Sequence, residues 1–418
     1  MMAQKQTIEN TLSAYLASMP EVTTLPEYDP HSEPGGENAW AAIRALTYTG
    51  VELDGKKTRI FAYIGFPQGA DADHPVPAMV LVHGGGGHAF AEWVKIWNDR
   101  GYAAIAMDTT GFFPSAEGKG RAGREEDDKA WWQHGMPEEL DPETYSPLPD
   151  NDAMAHSDWP VDRQWMLHGV AATIGAHNIL LADERVDTAR VGITGISWGG
   201  VITSIALGYD TRYAFAIPIY GSGHLDVAHS WMGPLFSPDT TKALWSAADR
   251  FDAVTMPTFW MCFANDTAFS VNSNSMTYED TKAAGARLCI RLPWGHSHLR
   301  GWTPEESYLF ADSVIGRAPA LTSVITEPAG RDFSFTIRPD VTATAITARI
   351  VYGSQPLTYS VKPEETKATI DPVWHMTACT VDGDTVTGHL PEDAVCYYVE
   401  LTTESPRGTY GITTRFVE

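Results

Sequence analysis

The sequence contains few cysteines. There are four in 418 residues, Cys262, Cys289, Cys379 and Cys396. None of them forms a CxxC motif, which leaves little support for a zinc site, and four cysteines in a chain of this length are too few for a disulfide scaffold. Cys262 and Cys289 lie in apolar runs and are expected to be small buried residues. A disulfide between Cys379 and Cys396, in a strand-rich region, stays open.

Long hydrophobic runs and an excess of basic residues are also absent. No apolar stretch approaches the length of a membrane span, and the N-terminal segment has the pattern of a short amphipathic helix instead of a signal peptide. The expected location is therefore cytoplasmic, although secretion with a removed signal is not excluded. The formal net charge of −24 argues against binding to nucleic acid or to acidic membranes, because both would repel the chain.

Strand and helix patterns alternate along the middle of the chain. Short continuous apolar runs at 77–83 and 102–108 are typical of strands covered on both faces. Helical spacing of apolar residues follows at 88–101 and 161–184. This alternation predicts a mostly parallel sheet with helices on both faces.

Two local signals mark the ends of elements. The dipeptide Asp54-Gly55 between two strand-like runs predicts a hairpin. Thr303, Pro304 and Glu306 predict a capping box at the start of the last helix of the α/β region.

Three parts of the chain differ in pattern. Residues 1–40 are predicted to be an N-terminal helical extension and residues 41–318 an α/β domain. Residues 325–418 are predicted to be an immunoglobulin-like β-sandwich, because short alternating strands and turn signals replace the helices there. The segment 111–160 interrupts the α/β pattern with glycine, proline, acidic and aromatic residues, and such long insertions are usually lids or mobile loops.

The sequence VGITGISWGG, which starts at residue 191, places a serine at a turn from a strand to a helix. Ser197 lies between Gly195 and Gly199, where a β-carbon would clash in a sharp turn. Such a turn points the hydroxyl out of the sheet and lets the N–H of Trp198 face a developing oxyanion. Ser197 is therefore the candidate nucleophile, and the alternative is a tight turn with an idle serine.

Four consecutive glycines follow an apolar strand, in the sequence HGGGGHAF. Glycine lets the backbone approach a ligand closely, and the N–H groups of Gly85 and Gly86 are the expected further donors of an oxyanion hole. A phosphate-binding loop is the competing interpretation, but the Gly-Lys-Ser/Thr ending and the GxGxxG spacing are missing. His83 is expected to brace the loop.

Candidate acids and bases follow later strands. Asp266 lies just after a buried strand, where a carboxylate can orient a histidine, and it is preferred to Asp226 because it is closer to its strand end. His296, directly after Gly295, is preferred to His298 as the general base. Two histidines also raise the question of a metal, but no third ligand with suitable spacing is evident, so neither metal nor cofactor is expected.

Ser197, Asp266 and His296 occur in the order that α/β-hydrolases use. The motifs HGGGG, GISWGG and FAND resemble those of the α/β-hydrolase superfamily, in the branch of dienelactone hydrolases, acetylxylan esterases and prolyl-oligopeptidase-like enzymes. The resemblance covers about residues 45–316. It implies an α/β-hydrolase catalytic domain with a Ser-His-Asp triad, and Trp198 and Gly85 at the oxyanion hole.

Two departures from these relatives limit what the resemblance implies. Dienelactone hydrolases have cysteine at the position of Ser197, and acetylxylan esterases of the cephalosporin-deacetylase type usually have glutamine at the position of Trp198. The substrates of these two enzyme groups are therefore not implied for this chain. The strand-rich C-terminal region looks like the small sandwich appended to some of these esterases.

The expected activity is that of a serine carboxylic-ester hydrolase with an acyl-enzyme intermediate. A small-molecule or oligosaccharide ester is the expected partner, with an acetyl or aryl ester of a carbohydrate as one substrate class. The residues expected to contact the substrate are Tyr220, Trp294, Trp131, Trp132 and His298. The alternatives are a peptidase or amidase of the oligopeptidase-like branch, and a non-catalytic glycan-binding protein on a hydrolase scaffold.

Overall fold

The structure, a computed structural model, describes residues 1–30, 40–121, 124, 129–135, 140–149, 157–357 and 373–418. By its internal contacts the chain divides into two units. The first unit comprises Met1–Ala214 and Asp239–Trp245, and the second comprises Phe215–Pro238 and Ser246–Glu418. The predicted domains 1–40, 41–318 and 325–418 follow changes of sequence pattern and not internal contacts, and they stay a prediction.

Helices and strands alternate through the middle of the chain. The helices are α1 (Met2–Leu16), α2 (Ala91–Asp99), α3 (Trp165–Leu181), α4 (Trp198–Leu207), α5 (Met232–Phe236), α6 (Asp239–Trp245), α7 (Val271–Thr281), α8 (His298–Trp302) and α9 (Glu305–Val314). The strands are β1 (Val22–Thr24), β2 (Ile43–Leu53), β3 (Lys56–Gly65), β4 (Val76–Val82), β5 (Ala103–Met107), β6 (Phe112–Pro114), β7 (Trp132–His134), β8 (Tyr145–Ser146), β9 (Val186–Ile196), β10 (Phe215–Ile219), β11 (Phe259–Phe263), β12 (Arg287–Arg291), β13 (Ser323–Val324), β14 (Asp332–Arg338), β15 (Ala345–Gly353), β16 (Trp374–Ala378), β17 (Thr380–Asp382), β18 (Thr385–His389), β19 (Cys396–Ser405) and β20 (Gly408–Thr413). Within the described ranges, every helix is too short or too polar to cross a bilayer.

The main sheet of the first unit has the strand order β1-β2-β3-β5-β4-β9. The pairs β1–β2, β2–β3 and β3–β5 are antiparallel, whereas the pairs β5–β4 and β4–β9 are parallel. Val82 is level with Met107 of β5 and with Gly195 of β9. The carboxyl ends of the three parallel strands therefore lie at one edge of the sheet, which is where reactive groups collect in α/β folds.

Helices and turns complete the first unit as the sequence predicts. Helix α2 packs against β3 and β5, whereas α3 and α4 pack against each other and against β4 and β9. The predicted hairpin turn joins β2 to β3, with φ of 54° at Asp54 and 76° at Gly55. Two consecutive left-handed residues are the requirement of a type I′ turn.

The second unit combines parallel and antiparallel strands. Strands β10, β11 and β12 are parallel, and the antiparallel run β20-β19-β15-β16 continues their sheet. A second sheet has the order β13-β14-β18-β17. The ring of Phe333, on β14, stacks on the ring of Tyr397, on β19, with a centroid separation of 6.3 Å. The predicted α/β class with a C-terminal all-β region is confirmed.

The cysteines are all free thiols. Cys262 and Cys289 are buried on the neighbouring strands β11 and β12, as predicted. Cys379 and Cys396 do not form the disulfide that the sequence left open. Burial raises the pKa of each of these two thiols to about 11, so both stay protonated at neutral pH.

The capping box predicted for α9 is wrong. The N-cap residue is Pro304, whose side chain offers no acceptor, and the Thr303 hydroxyl donates to the Arg300 carbonyl at 3.1 Å. Glu306 instead accepts from Arg291 Nη1 at 2.5 Å and from the Gly411 N–H at 3.4 Å. These tertiary partners take the carboxylate away from the helix end.

We expect Glu306→Ala to lower the free energy of unfolding by about 2 kcal/mol, because Arg291 loses its partly buried partner. Thr303→Ala, the matched control, is expected to cost about 0.5 kcal/mol or less, as for an exposed residue outside a cap. Urea unfolding of both variants measures the difference. A larger loss of stability for Thr303→Ala would instead support the predicted capping box.

Candidate active site

Ser197 joins β9 to α4 and has an unusual backbone conformation. Its φ is 60° and its ψ is −120°, a region that costs a non-glycine residue about 1–3 kcal/mol and is concentrated at functional sites. An added β-carbon at Gly195 would overlap the Gly199 carbonyl oxygen, and one at Gly199 would overlap the carbonyl oxygens of Val82 and His83. The turn therefore requires glycine on both sides of the serine, as expected from the sequence.

The glycine loop directly follows β4. Gly199 lies close to the Val82 and His83 carbonyls, at the point where the loop begins. The Gly87 N–H donates to the Gly84 carbonyl at 3.0 Å, and Gly86 has a φ of 69°, so the loop is a tight turn. Within the described part of the chain, the N–H groups of Gly85 and Gly86 donate no hydrogen bond. Gly85 is half-buried and Gly86 is exposed, so both amides are available to a ligand.

His83 braces this loop. Its Nδ1 lies 2.8 Å from the Gly84 carbonyl oxygen, and its Nε2 accepts from the Thr109 N–H at 2.9 Å. The imidazole is buried and links the end of β4 to the segment that follows β5. The Thr109 carbonyl in turn accepts from Trp165 Nε1 at 2.6 Å.

Asp266 and His296 form a hydrogen-bonded pair in the second unit. His296 Nδ1 donates to Asp266 Oδ2 at 2.8 Å. The other carboxylate oxygen accepts from the N–H groups of Ala268 and Phe269, at 2.8 and 3.0 Å. Asp266 is 2% exposed, whereas the His296 side chain is 32% exposed. With Nδ1 committed to the carboxylate, Nε2 is the basic nitrogen of the ring.

Aromatic rings surround the His296 imidazole. Tyr220 stacks on it with a centroid separation of 4.4 Å and an interplanar angle of 18°, and Phe269 lies nearly parallel at 5.8 Å. The Tyr220 hydroxyl donates to the Gly295 carbonyl at 2.6 Å. Burial, with a further contribution from the negative charge of Asp266, raises the pKa of Tyr220 far above its usual value, so this hydroxyl keeps its proton.

The candidate acids and bases have different surroundings, and their assignment stays a prediction. Asp266 is the carboxylate that bonds His296, while Asp226 lies in a short 3-10 turn, Leu225–Val227. His298 is the first residue of α8, with its ring 6.4 Å from that of Trp302. Ser197 belongs to the first unit and the Asp266–His296 pair to the second.

The aromatic residues expected at the substrate differ in exposure. Tyr220 is fully buried and Trp132 is 7% exposed, so neither presents an open face; Trp132 stacks on His88 at 3.7 Å. Trp294 and Trp131 are half-buried, and the Arg121 guanidinium lies 3.3 Å from the Trp131 ring centroid. Parts of the predicted 111–160 insertion, at 122–123, 125–128, 136–139 and 150–156, lie outside the described residues.

Sequence reasoning missed Phe269 as a neighbour of His296. The signal was present, because an aspartate that accepts backbone N–H groups two and three residues ahead forms an Asx-type turn, and that turn brings Phe269 back toward Asp266. No cluster of three or more histidine, cysteine, aspartate or glutamate residues suited to a metal occurs in the part of the chain that the structure describes.

We expect Gly199→Ala to destabilise the fold by about 2 kcal/mol or more, since the new methyl group meets backbone carbonyls that cannot move aside. Gly208, at the other end of the same helix, has a φ of −76°, which suits alanine. Gly208→Ala is therefore expected to change stability by about 0.5 kcal/mol or less. Denaturant unfolding of the two variants checks this, and equal effects would mean that the turn tolerates a side chain at 199.

Comparison with known proteins finds similar structures but no matching family model and no matching curated protein. Acetyl xylan esterase 1 from Thermoanaerobacterium sp. JW/SL YS485 has a TM-score of 0.47 and 12% identity, over 74% of this chain and 94% of that one. Acetyl xylan esterase from Paenibacillus sp. R4 has a TM-score of 0.48 and 17% identity, over 74% and 93%. Pyrococcus horikoshii acylaminoacyl peptidase has a TM-score of 0.40 and 18% identity, over 59% and 36%. These names agree with the groups that the sequence motifs resemble, but likenesses at such TM-scores carry no argument about the reaction.

Proposed function

We propose that the chain is a serine hydrolase that cleaves carboxylic esters, with Ser197 as nucleophile, His296 as general base and Asp266 as the residue that orients His296. The observation that carries the proposal is the Ser197 backbone, at φ 60° and ψ −120° between two obligatory glycines. A fold keeps such a strained serine where the strain has a use, and presenting a nucleophile at a strand-to-helix turn is that use.

The proposed reaction has two steps. Ser197 Oγ attacks the acyl carbon while His296 Nε2 takes its proton, and the tetrahedral oxyanion accepts hydrogen bonds from the N–H of Trp198 and from Gly85 or Gly86. His296 then gives the proton to the leaving alcohol, and an acyl-enzyme remains on Ser197. A water molecule, deprotonated by His296, attacks the acyl carbon. The bond from that carbon to Ser197 Oγ breaks, the acid leaves, and His296 returns the proton to Oγ.

Asp266 has an electrostatic role in this scheme. Its carboxylate accepts two backbone N–H groups and the Nδ1 proton of His296, so three donors stabilise the negative charge. That charge stabilises the imidazolium that forms when His296 takes the serine proton. Because Asp266 is almost fully buried, little solvent weakens this interaction.

The proposed substrate class is an acetyl or aryl ester of a carbohydrate. The half-buried rings of Trp294 and Trp131 are suited to stacking on the apolar face of a sugar or on an aryl group. A net charge of −24 disfavours acidic substrates, which electrostatic repulsion would keep away. Neutral acylated sugars meet both conditions.

A panel of p-nitrophenyl esters tests the class of reaction. We expect the wild-type protein to hydrolyse short acyl esters and Ser197→Ala to lose at least about 10³-fold in kcat, because the nucleophile is gone. A fluorophosphonate probe is expected to label Ser197, as read by peptide mass spectrometry. Equal ester hydrolysis by both proteins, or faster cleavage of matched amides than of esters, contradicts the proposal, and the second result favours a peptidase.

Paired substitutions test the base and the acid. We expect His296→Gln and Asp266→Asn each to lower kcat by about 10²–10⁴-fold, since one removes the base and the other the charge that supports it. The controls are His298→Gln and Asp226→Asn, which keep the Asp266–His296 bond and are expected to stay within about five-fold of wild type. A large loss in a control with a small loss in its partner would reverse the assignment.

A further inference from the structure

We infer that Tyr220 is a positioning residue of the Asp266–His296 pair, and that it fixes the His296 imidazole through its ring and the preceding peptide through its hydroxyl. This inference rests on the proposed function for its kinetic consequence. It changes the role expected from the sequence, which was contact with the substrate.

The backbone of Tyr220 is held from both sides. Its N–H donates to the Met261 carbonyl on β11 at 2.7 Å, and its carbonyl accepts from Asn274 Nδ2 on α7 at 3.3 Å. Its φ is 66°, a left-handed value that a bulky residue rarely adopts. This conformation occurs directly after β10, and it places the buried ring of Tyr220 against the His296 imidazole.

The Tyr220 side chain makes two contacts with the segment that carries the histidine. Its hydroxyl donates to the carbonyl of Gly295, the residue before His296, and its ring stacks on the imidazole. The first contact fixes the peptide from which the histidine side chain starts. The second fixes the plane of the ring, so that Nδ1 stays directed at Asp266 while Nε2 stays available.

A further ring and an ion pair hold Tyr220 in turn. Trp294 lies against Tyr220 with a centroid separation of 4.7 Å, and the Arg291 guanidinium lies 5.4 Å from the Trp294 ring centroid. Arg291 is itself bonded to the buried carboxylate of Glu306. Tyr220 is therefore packed on a rigid support, and a support of this kind is what keeps a catalytic group within the small tolerance that catalysis needs.

The ring of Tyr220 also has an electrostatic consequence. When His296 takes a proton it becomes a cation, and an aromatic face stabilises a cation placed over it. The centroid separation of 4.4 Å is within the range in which this attraction acts. In the proposed reaction this attraction acts on the imidazolium that forms when His296 takes the serine proton, alongside the charge of Asp266.

Two substitutions separate the hydroxyl from the ring. Tyr220→Phe keeps the stacked ring and loses the hydrogen bond to Gly295, and we expect kcat on the best p-nitrophenyl ester to fall about 5–10-fold. Tyr220→Leu loses both contacts, and we expect a fall of about 100-fold, because a small misplacement of a catalytic group costs about that much. KM is expected to stay within about two-fold of wild type in both variants, since Tyr220 does not touch the substrate.

Tyr308→Phe is the matched control. The Tyr308 hydroxyl also donates to a backbone carbonyl, that of Trp302, and the residue is 4% exposed in the same unit. This variant loses a comparable buried hydrogen bond without touching His296. Its stability is expected to fall as in Tyr220→Phe, while its kcat stays at the wild-type value.

A spectroscopic measurement follows the pair without any substrate. The Nδ1 proton of His296, donated to Asp266, gives a low-field proton resonance in the wild type, and we expect it to weaken or shift in Tyr220→Leu and to persist in Tyr308→Phe. His296→Gln assigns the signal by removing it. Should Tyr220→Leu fail to fold, Tyr220→Phe tests the hydroxyl contact alone, and an unchanged resonance together with a wild-type kcat in that variant overturns the part of the inference that concerns the hydroxyl.

The results that would overturn the role of Tyr220 differ from those that would overturn the proposed function. A kcat for the folded Tyr220 variants within two-fold of wild type, or a loss that appears only as a higher KM, overturns the inference, and the second result returns Tyr220 to the substrate. Absence of esterase activity and of Ser197 labelling in the wild type overturns the proposed function instead. In that case the low-field resonance still decides whether Tyr220 positions His296.

Discussion

The buried carboxylate of Asp266 is the constraint on which the geometry of the Asp266–His296 pair depends. A carboxylate that is 2% exposed has lost most of its hydration, and its burial is costly unless hydrogen bonds replace that hydration. Two backbone N–H groups and the His296 ring do so. One of these three bonds, the one from His296 Nδ1, also selects the tautomer of the histidine and leaves Nε2 as its basic nitrogen.

The turn at Ser197 was predictable because its glycine pattern is local in the sequence. A sharp strand-to-helix turn tolerates only glycine at 195 and 199, and that restriction is visible in the sequence as GISWG. The parallel strands were predictable for a similar reason, since continuous apolar runs indicate burial on both faces. In each case the sequence pattern itself is local, although part of its cause is distant: an added β-carbon at Gly195 would meet Gly199, whereas one at Gly199 would meet Val82 and His83 at the end of β4.

The remaining features depend on contacts that are distant in sequence. His296 and His298 are two residues apart, and only the fold determines that the first one meets Asp266. The capping box of α9 fails because Glu306 is bonded to Gly411, 105 positions further on. Trp132, expected at the substrate, is instead buried against His88 and the rings of β3. No local pattern encodes any of these three outcomes.

The pairing of β20 with β12 makes the C-terminal strands part of the sheet whose strands β11 and β12 precede Asp266 and His296. Without β20, β12 would become an edge strand with a bare row of N–H and C=O groups, which promotes association between chains. The C-terminal β region is therefore no detachable accessory. Removal of the C-terminal strands would therefore expose the edge of β12 to other chains. That edge lies directly beside the segment that leads to His296.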